Sequence, residues 1–247
     1  MTIHAAINGT RSSTDYPGIP ITPEEQAAEA KASVAAGANA IHVHVRDELG
    51  NESLTADDVA LTMVAIRAAC PGVKIGISTG AWIVPDLHRR LELIRSWRVL
   101  PDFASVNLHE TGAADVMRLL LQKGVGVEAG VWNAPAAVAL LESGLTHECS
   151  RILLEPAEAS CWARLNLMQI ERVLKNTAQP LLLHGLGRCT WDFIAMAAKR
   201  GYDTRVGFED TLKLPDGTRA RSNADLVIAA WRVVARATTD DELLVDS

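Results

Sequence analysis

Two histidines stand two residues apart in the apolar run Ile41-His42-Val43-His44-Val45-Arg46-Asp47. In an extended strand alternate side chains share a face, so His42 and His44 point the same way and reach one cation from a rigid base. Far along the chain, Arg205-Val206-Gly207-Phe208-Glu209-Asp210 supplies a second cluster at what reads as a strand end. His42, His44 and Glu209 would make a two-nitrogen, one-oxygen set. Three protein ligands and an open fourth position are what a catalytic zinc or similar divalent ion needs, because water or substrate must take the remaining position. The plainer reading of the histidine pair is a strand whose imidazoles bond to nearby backbone or carboxylates. The second cluster, and a fold that joins the two, favour the metal.

Asp210 follows Glu209 directly, and a carboxylate beside a metal can serve as a base. Strict alternation would turn it away from Glu209, so this reading needs a bulge or a strand end there; the alternative is an N-cap or loop-solvating aspartate. Arg205 lies four residues before Glu209 on the same face and therefore deeper. Buried alone it would be costly, so it is expected to hold a carboxylate such as Asp210 or Glu128, for catalysis or as a purely structural ion pair. Ser78, Thr79 and Gly80 give hydroxyls and N–H groups at the third strand end, suited to a substrate carboxylate or simply to a turn. Asn8, Asn107, Glu128 and Glu155 are assigned to the same mouth by strand-end position. His184 reads as a satisfied rim residue, and His4, His88, His109 and His147 have no partner pattern and receive no role. Gly185-Leu186-Gly187-Arg188 is a weak fragment of a phosphate loop, lacking both the third glycine and the lysine. Cys149, Cys161 and Cys189 show no neighbouring base that would make a thiol nucleophile.

Such residues need a scaffold that presents strand ends together. Apolar runs of four to six residues alternate with segments of helical period in eight units, the pattern of parallel strands covered by helices. Strands are expected at Ile3 to Asn8, Ala40 to Val45, Lys74 to Ser78, Phe103 to Leu108, Gly126 to Val131, Arg151 to Leu154, Pro180 to Leu183 and Asp203 to Phe208. Thr22-Pro23-Glu24-Glu25 supplies an N-cap, a first-turn proline and acids for a helix ending near Gly37. Further helices are expected at Ala56 to Ala69, from Pro85 onward, and at Asn223 to Ala237. The 247 residues are close to the ~250 of an eight-fold α/β barrel. The expectation is one (β/α)8 TIM-barrel catalytic domain over residues 1–247, with its site at the carboxyl ends of the strands. A doubly wound open sheet would give the same alternation, but only a closed barrel makes strands one, two and eight contiguous.

A net charge of −6 argues against nucleic-acid or anionic-membrane partners, which need clustered basic residues. The four cysteines form no C-x-x-C pair, so neither a zinc knuckle nor a disulfide frame is indicated and reduced cytoplasmic thiols are expected. The chain opens directly on strand-like residues, without a basic region followed by an apolar one, and no apolar stretch approaches ~18 residues. An untargeted cytoplasmic protein is the expectation.

Taken together, Ile41 to Asp47, Ile77-Ser78-Thr79-Gly80 and Arg205 to Asp210 resemble the β-keto acid cleavage enzyme family, and Ile7-Asn8-Gly9 and Pro20-Ile21-Thr22-Pro23-Glu24-Glu25 also fit. The resemblance runs over nearly the whole chain. It implies a (β/α)8 barrel with a divalent metal, usually zinc, on residues matching His42, His44 and Glu209. It also implies a retro-Claisen-type exchange in which a β-keto acid and acetyl-CoA give acetoacetate and a new acyl-CoA, so a small keto acid and a CoA thioester are the expected partners. By motif, Asp210 would be the base, Arg205 its partner and Ser78 a contact to the substrate carboxylate; members are commonly homotetramers. Two departures stand out. The first loop reads Asn8-Gly9-Thr10-Arg11 where the family's named member is acidic, and Arg11 would favour a different substrate tail. The chain also stops soon after its eighth helix, where many relatives extend further. The residues alone leave two other readings open. One is a metal-dependent hydrolase of the amidohydrolase kind, which ordinarily carries its histidine pair on the first strand; the other is a non-catalytic barrel that binds a metal or metabolite.

Overall fold

The structure, a computed structural model, describes residues 1–156 and 162–245, so Cys161 lies outside the described residues. Its strands are β1 (Ile3–Ala6), β2 (Ala40–Val43), β3 (Lys74–Ser78), β4 (Phe103–Asn107), β5 (Gly126–Val131), β6 (Arg151–Leu154), β7 (Leu181–Leu183) and β8 (Asp203–Val206). Between and after them run α1 (Pro23–Ala35), α2 (Ala56–Ala69), α3 (Leu87–Ser96), α4 (Ala113–Gln122), α5 (Ala134–Glu142), α6 (Trp162–Leu174), α7 (Thr190–Arg200) and α8 (Asn223–Val245). The strands pair in chain order, all parallel, and β1 closes the ring by pairing with both β2 and β8. This is a (β/α)8 TIM barrel. The pairings Ile3↔Thr204 and Ala5↔Val206 exclude the open sheet.

Strand composition follows from burial on both faces. Ile41 and Val43 alternate with His42, as Ile75 and Ile77 do with Gly76, and all four aliphatic side chains are buried. Helix starts are capped as their sequences dictate. Thr22 accepts from the Glu25 N–H while Glu25 accepts from the Thr22 N–H, and Pro23 fills the first turn. Thr55, Asp86 and Asn133 cap α2, α3 and α5 by accepting one N–H each, from Asp58, Arg89 and Ala136. Asp86 therefore starts the third helix, with Pro85 placed before the cap.

The expected strands one, two, four and eight run on further than the observed ones. At the carboxyl ends the chain leaves the ladder because side chains take over its backbone groups. Asn8 Oδ1 accepts the His44 N–H at 2.9 Å and Asn8 Nδ2 donates to the His44 carbonyl at 2.8 Å. After Val206 the chain turns, with the N–H groups of Asp210 and Thr211 both donating to Gly207 O. The last helix is longer than expected, and within it the Thr238 and Thr239 hydroxyls donate to carbonyls one turn back. Among the described residues no helix is long and apolar enough to cross a membrane.

Candidate metal centre

His42 lies in β2 and His44 one residue past its end, on the same inward face. Their Nε2 atoms stand 3.6 and 3.5 Å from the same oxygen, Glu209 Oε2. These separations are long for hydrogen bonds. They match the ~3.3–3.4 Å edges of a tetrahedron whose ligands lie ~2.0–2.1 Å from a central ion. Both imidazoles are buried, and Glu209 Oε2 is a buried oxygen without a hydrogen-bond partner among the described residues. A carboxylate oxygen left unpaired between two imidazole nitrogens fits a divalent cation, and this cluster is capable of coordinating one.

Glu209 reaches its position from the turn after β8, and close packing holds it there. Gly9 has a φ of +61°, and a Cβ at that position would come within 2.5 Å of Glu209 Cγ. The other carboxylate oxygen, Oε1, accepts from Arg205 Nη2 at 2.9 Å, and the same nitrogen donates to Asp210 Oδ1 at 2.9 Å. The turn at residues 207–210 is thus what brings two consecutive carboxylates to one guanidinium. Arg205 pairs with Asp210 and Glu209, and its expected alternative partner, Glu128, is held by other groups.

Electrostatics within the cluster are uneven. Burial pushes the His42 imidazole down to about 3, only partly opposed by Glu209. Burial also works against charge on His44, but the carboxylates of Glu209 and Glu52 prevail and push it up to about 9. Burial would raise Glu209; Arg205 and the two histidines outweigh it and hold the carboxyl well below its ordinary range. Glu209 is therefore ionised and ready to serve as a ligand.

The cluster opens on a cavity of about 150 Å³, also lined by Thr10, Ser78, Trp82, Asn107, Trp132 and Glu155. Whole-ligand pockets run to ~300–1,000 Å³, so this one suits the reacting end of a ligand. Ser78 lines the cavity, its hydroxyl accepting from the Gly80 N–H at 3.3 Å. Thr79 does not share that role, because its hydroxyl donates to Ser105 O at 2.7 Å. Gly80 allows the Trp82 ring to lie against the backbone; a Cβ there would meet the indole at 2.3 Å. Asn107 faces the cavity with Oδ1 accepting from Trp132 and Nδ2 donating to Glu110.

Three expected mouth residues are elsewhere or otherwise engaged. Asn8 spends its amide on Pro20 O and His44 O and its oxygen on the N–H groups of Gly9 and His44, so it braces the metal-facing strand and has nothing left for substrate. Arg11 donates from Nε to Phe208 O at 2.6 Å, which ties it to the turn before Glu209; the loop presents Thr10 to the cavity instead. Glu128 enters β5 early and sits toward the opposite end of the barrel, with Oε1 3.2 Å from Arg151 Nε and 3.7 Å from His4 Nδ1. Its place in the middle of a strand, not at the end, sets that depth.

Two residues gain roles that sequence reasoning missed. His184, fully buried, has Nδ1 3.2 Å from Asp210 Oδ1 and Nε2 3.4 Å from Glu155 Oε2. Burial and Arg205 oppose its charging, but Glu155 and Asp210 prevail and push it up to about 9. Its position just past β7 was the available signal. Glu52 stands 2.5 Å from His44 Nδ1, brought there by a chain reversal that only a turn reading of Asp47 to Asn51 would have suggested.

A family model described as beta-keto acid cleavage enzyme matches residues 1–240. The 3-keto-5-aminohexanoate cleavage enzyme of Fusobacterium nucleatum is 27% identical over 248 aligned positions, covering 91% of this chain and 88% of that one. The 3-oxoadipate:acetyl-CoA acetyltransferase of Cupriavidus necator is 37% identical over 79 positions, 32% of this chain and 28% of that one. Among solved structures, the type I 3-dehydroquinate dehydratase of Clostridium difficile superposes with a TM-score of 0.59 at 12% identity, covering 92% of this chain and 90% of that one. That last likeness is one of fold alone.

Proposed function

The chain belongs to the beta-keto acid cleavage enzyme family, and from that premise we propose that it is a zinc-dependent acyltransferase exchanging a β-keto acid with acetyl-CoA to give acetoacetate and a new acyl-CoA. The observation that carries this reading is the convergence of His42 Nε2, His44 Nε2 and Glu209 Oε2 beside the Arg205–Asp210 pair. The two imidazoles and the carboxylate would hold the ion, whose Lewis acidity, when it is bound, polarises a keto oxygen and offsets negative charge as the carbon–carbon bond breaks.

The exchange breaks the C2–C3 bond of the keto acid and joins its C2 to the acetyl carbonyl, while the thioester bond to acetyl is lost and one to the remaining acyl group is formed. No proton is gained or lost overall, so one residue that takes the C2 proton and later returns it is sufficient. Asp210 has that role. Its Oδ1 is engaged by Arg205 and faces His184, while Oδ2 has no hydrogen-bond partner among the described residues and is the atom to accept the proton. Arg205 fixes the base, donating from Nη2 to its Oδ1 at 2.9 Å. Ser78 and the adjoining backbone orient the substrate carboxylate, and the indoles of Trp82 and Trp132 keep water from the reacting carbons. The amidohydrolase alternative is disfavoured because the histidine pair stands at the end of β2 and not on the first strand.

The test is incubation of the zinc-loaded protein with acetyl-CoA and a panel of β-keto acids. Acetoacetate should form with at least one of them and stop on chelation. Absence of turnover across a broad panel at full metal loading overturns the reading.

A further inference from the structure

The two histidines of the metal centre are supported differently. His42 Nδ1 has no hydrogen-bond partner among the described residues. His44 Nδ1, in contrast, meets Glu52 Oε1 at 2.5 Å. Glu52 comes from outside any strand. Asp47 Oδ1 accepts from the N–H groups of Leu49 and Asn51, the Gly50 N–H donates to Asp47 O, and the reversed chain pairs Arg46 with Glu52 antiparallel. Trp82, from the far side of the β3 end, donates from Nε1 to both carboxylate oxygens at 3.1 and 3.2 Å, and its ring stacks on the His44 ring with centroids 6.2 Å apart and planes at 23°.

We propose that Glu52, clamped by Trp82, is the positioning residue that holds His44 in its metal-binding orientation and sets how tightly the site binds its ion; this rests on the metal reading above. The carboxylate contacts the ring edge opposite Nε2, so it cannot itself be a ligand. It would hold the proton on Nδ1 when an ion is bound, leaving Nε2, the nitrogen that faces Glu209 Oε2, to bind the ion. A carboxylate on the far nitrogen also makes the imidazole a stronger donor, and groups in this position typically change metal affinity about 10–100-fold. Trp82 restrains the ring by its face while locking the carboxylate at its edge. The turn does not need Glu52 to close: Asp47 and Asn51 bond through their backbones, Ser53 N–H donates to Val45 O, and Arg46 donates to Gly50 O. Glu52 is thus free to serve the histidine.

The test compares the metal-free wild type with Glu52→Ala, Glu52→Gln and Trp82→Phe, using zinc affinity by chelator competition, the cobalt(II) absorption spectrum and thermal melts without metal. Glu52→Ala should bind zinc about 10–100-fold more weakly, with altered cobalt bands, while its metal-free melting point reads separately the loss of the buried contact to His44. Glu52→Gln, whose amide oxygen still accepts the Nδ1 proton, should fall between, and Trp82→Phe should lose least. Undiminished affinity in Glu52→Ala, with or without a lower melting point, makes Glu52 a structural tie and overturns the proposal. Should that variant fail to fold, undiminished affinity in both volume-keeping variants does the same. A wild type that binds neither zinc nor cobalt removes the metal reading itself, a different failure.

Discussion

The interior of the barrel carries a histidine, carboxylate and arginine cluster at each end, and the two are built from the same residue types to opposite effect. Toward the amino ends of the strands, Arg151 Nη1 approaches His4 Nε2 to 2.6 Å, Arg151 Nε reaches Glu128 Oε1 at 3.2 Å, and Nη1 lies 3.6 Å from Asp203. Burial and the neighbouring Arg151 hold His4 well below its ordinary value, so it is a neutral acceptor for that guanidinium. The cation facing this cluster, Arg151, is part of the chain, and His4 Nδ1 and Glu128 Oε1 stay without a hydrogen bond beside it among the described residues. At the carboxyl ends Arg205 engages only one oxygen of Glu209, and the other faces two imidazoles. What separates the two ends is what faces the carboxylate oxygen left without a hydrogen bond, an arginine nitrogen at 3.2 Å in one and two imidazole nitrogens at 3.6 and 3.5 Å in the other, and residue types alone do not reveal it.

The comparison breaks most visibly at the carboxyl end. His44→Ala should lose bound metal and turnover together, the latter by about a thousandfold or more, since the ion contributes several kcal/mol to the reaction; metal analysis beside the acetoacetate assay checks it. Asp210→Asn should keep its metal and lose about 10²–10⁴-fold in rate. Retained turnover there would remove the aspartate from its role as base.

At the other end the effect should be on stability. Burial, partly opposed by Arg151, pushes the Glu128 carboxyl up to about 7. Because this lies above the value of 4.5 for the free group, its contribution is fully present below pH 4.5 and is lost as pH rises through about 7. Glu128→Gln should therefore gain on the wild type between those limits, by up to about 3 kcal/mol, while keeping full metal content. Melts from pH 4.5 to 8 read the difference, and a constant offset would refute it. Smallest of all, Gly9→Ala should cost about 1–2 kcal/mol for its left-handed backbone and weaken zinc binding by displacing Glu209. An unchanged chelator titration would detach Gly9 from the site.

Much of this was legible in the sequence because it depends on period and spacing. The alternation of apolar runs and helical segments gave the barrel, and two histidines at a spacing of two had to share a face. Depth was harder to read. Glu128 and Asn107 both lie on strands of similar composition, yet one is held by Arg151 and the other faces the cavity. Strand ends were overextended at Asn8, Val45 and Phe208 because apolar character continues after the ladder has stopped. Glu52 and His184 were missed for a related reason: each acts through a neighbour fixed by tertiary folding, the first by a chain reversal and the second by the meeting of β6, β7 and the turn after β8.

The first strand lies between the two that bring the donors, with Ala6 opposite His42 and Ala5 opposite Val206. Half a barrel could not assemble this trio, since residue 209 must come round to residues 42 and 44. The ion would then be captured only once the ring has shut, and it would act as a rivet across the seam where the two ends of the chain meet.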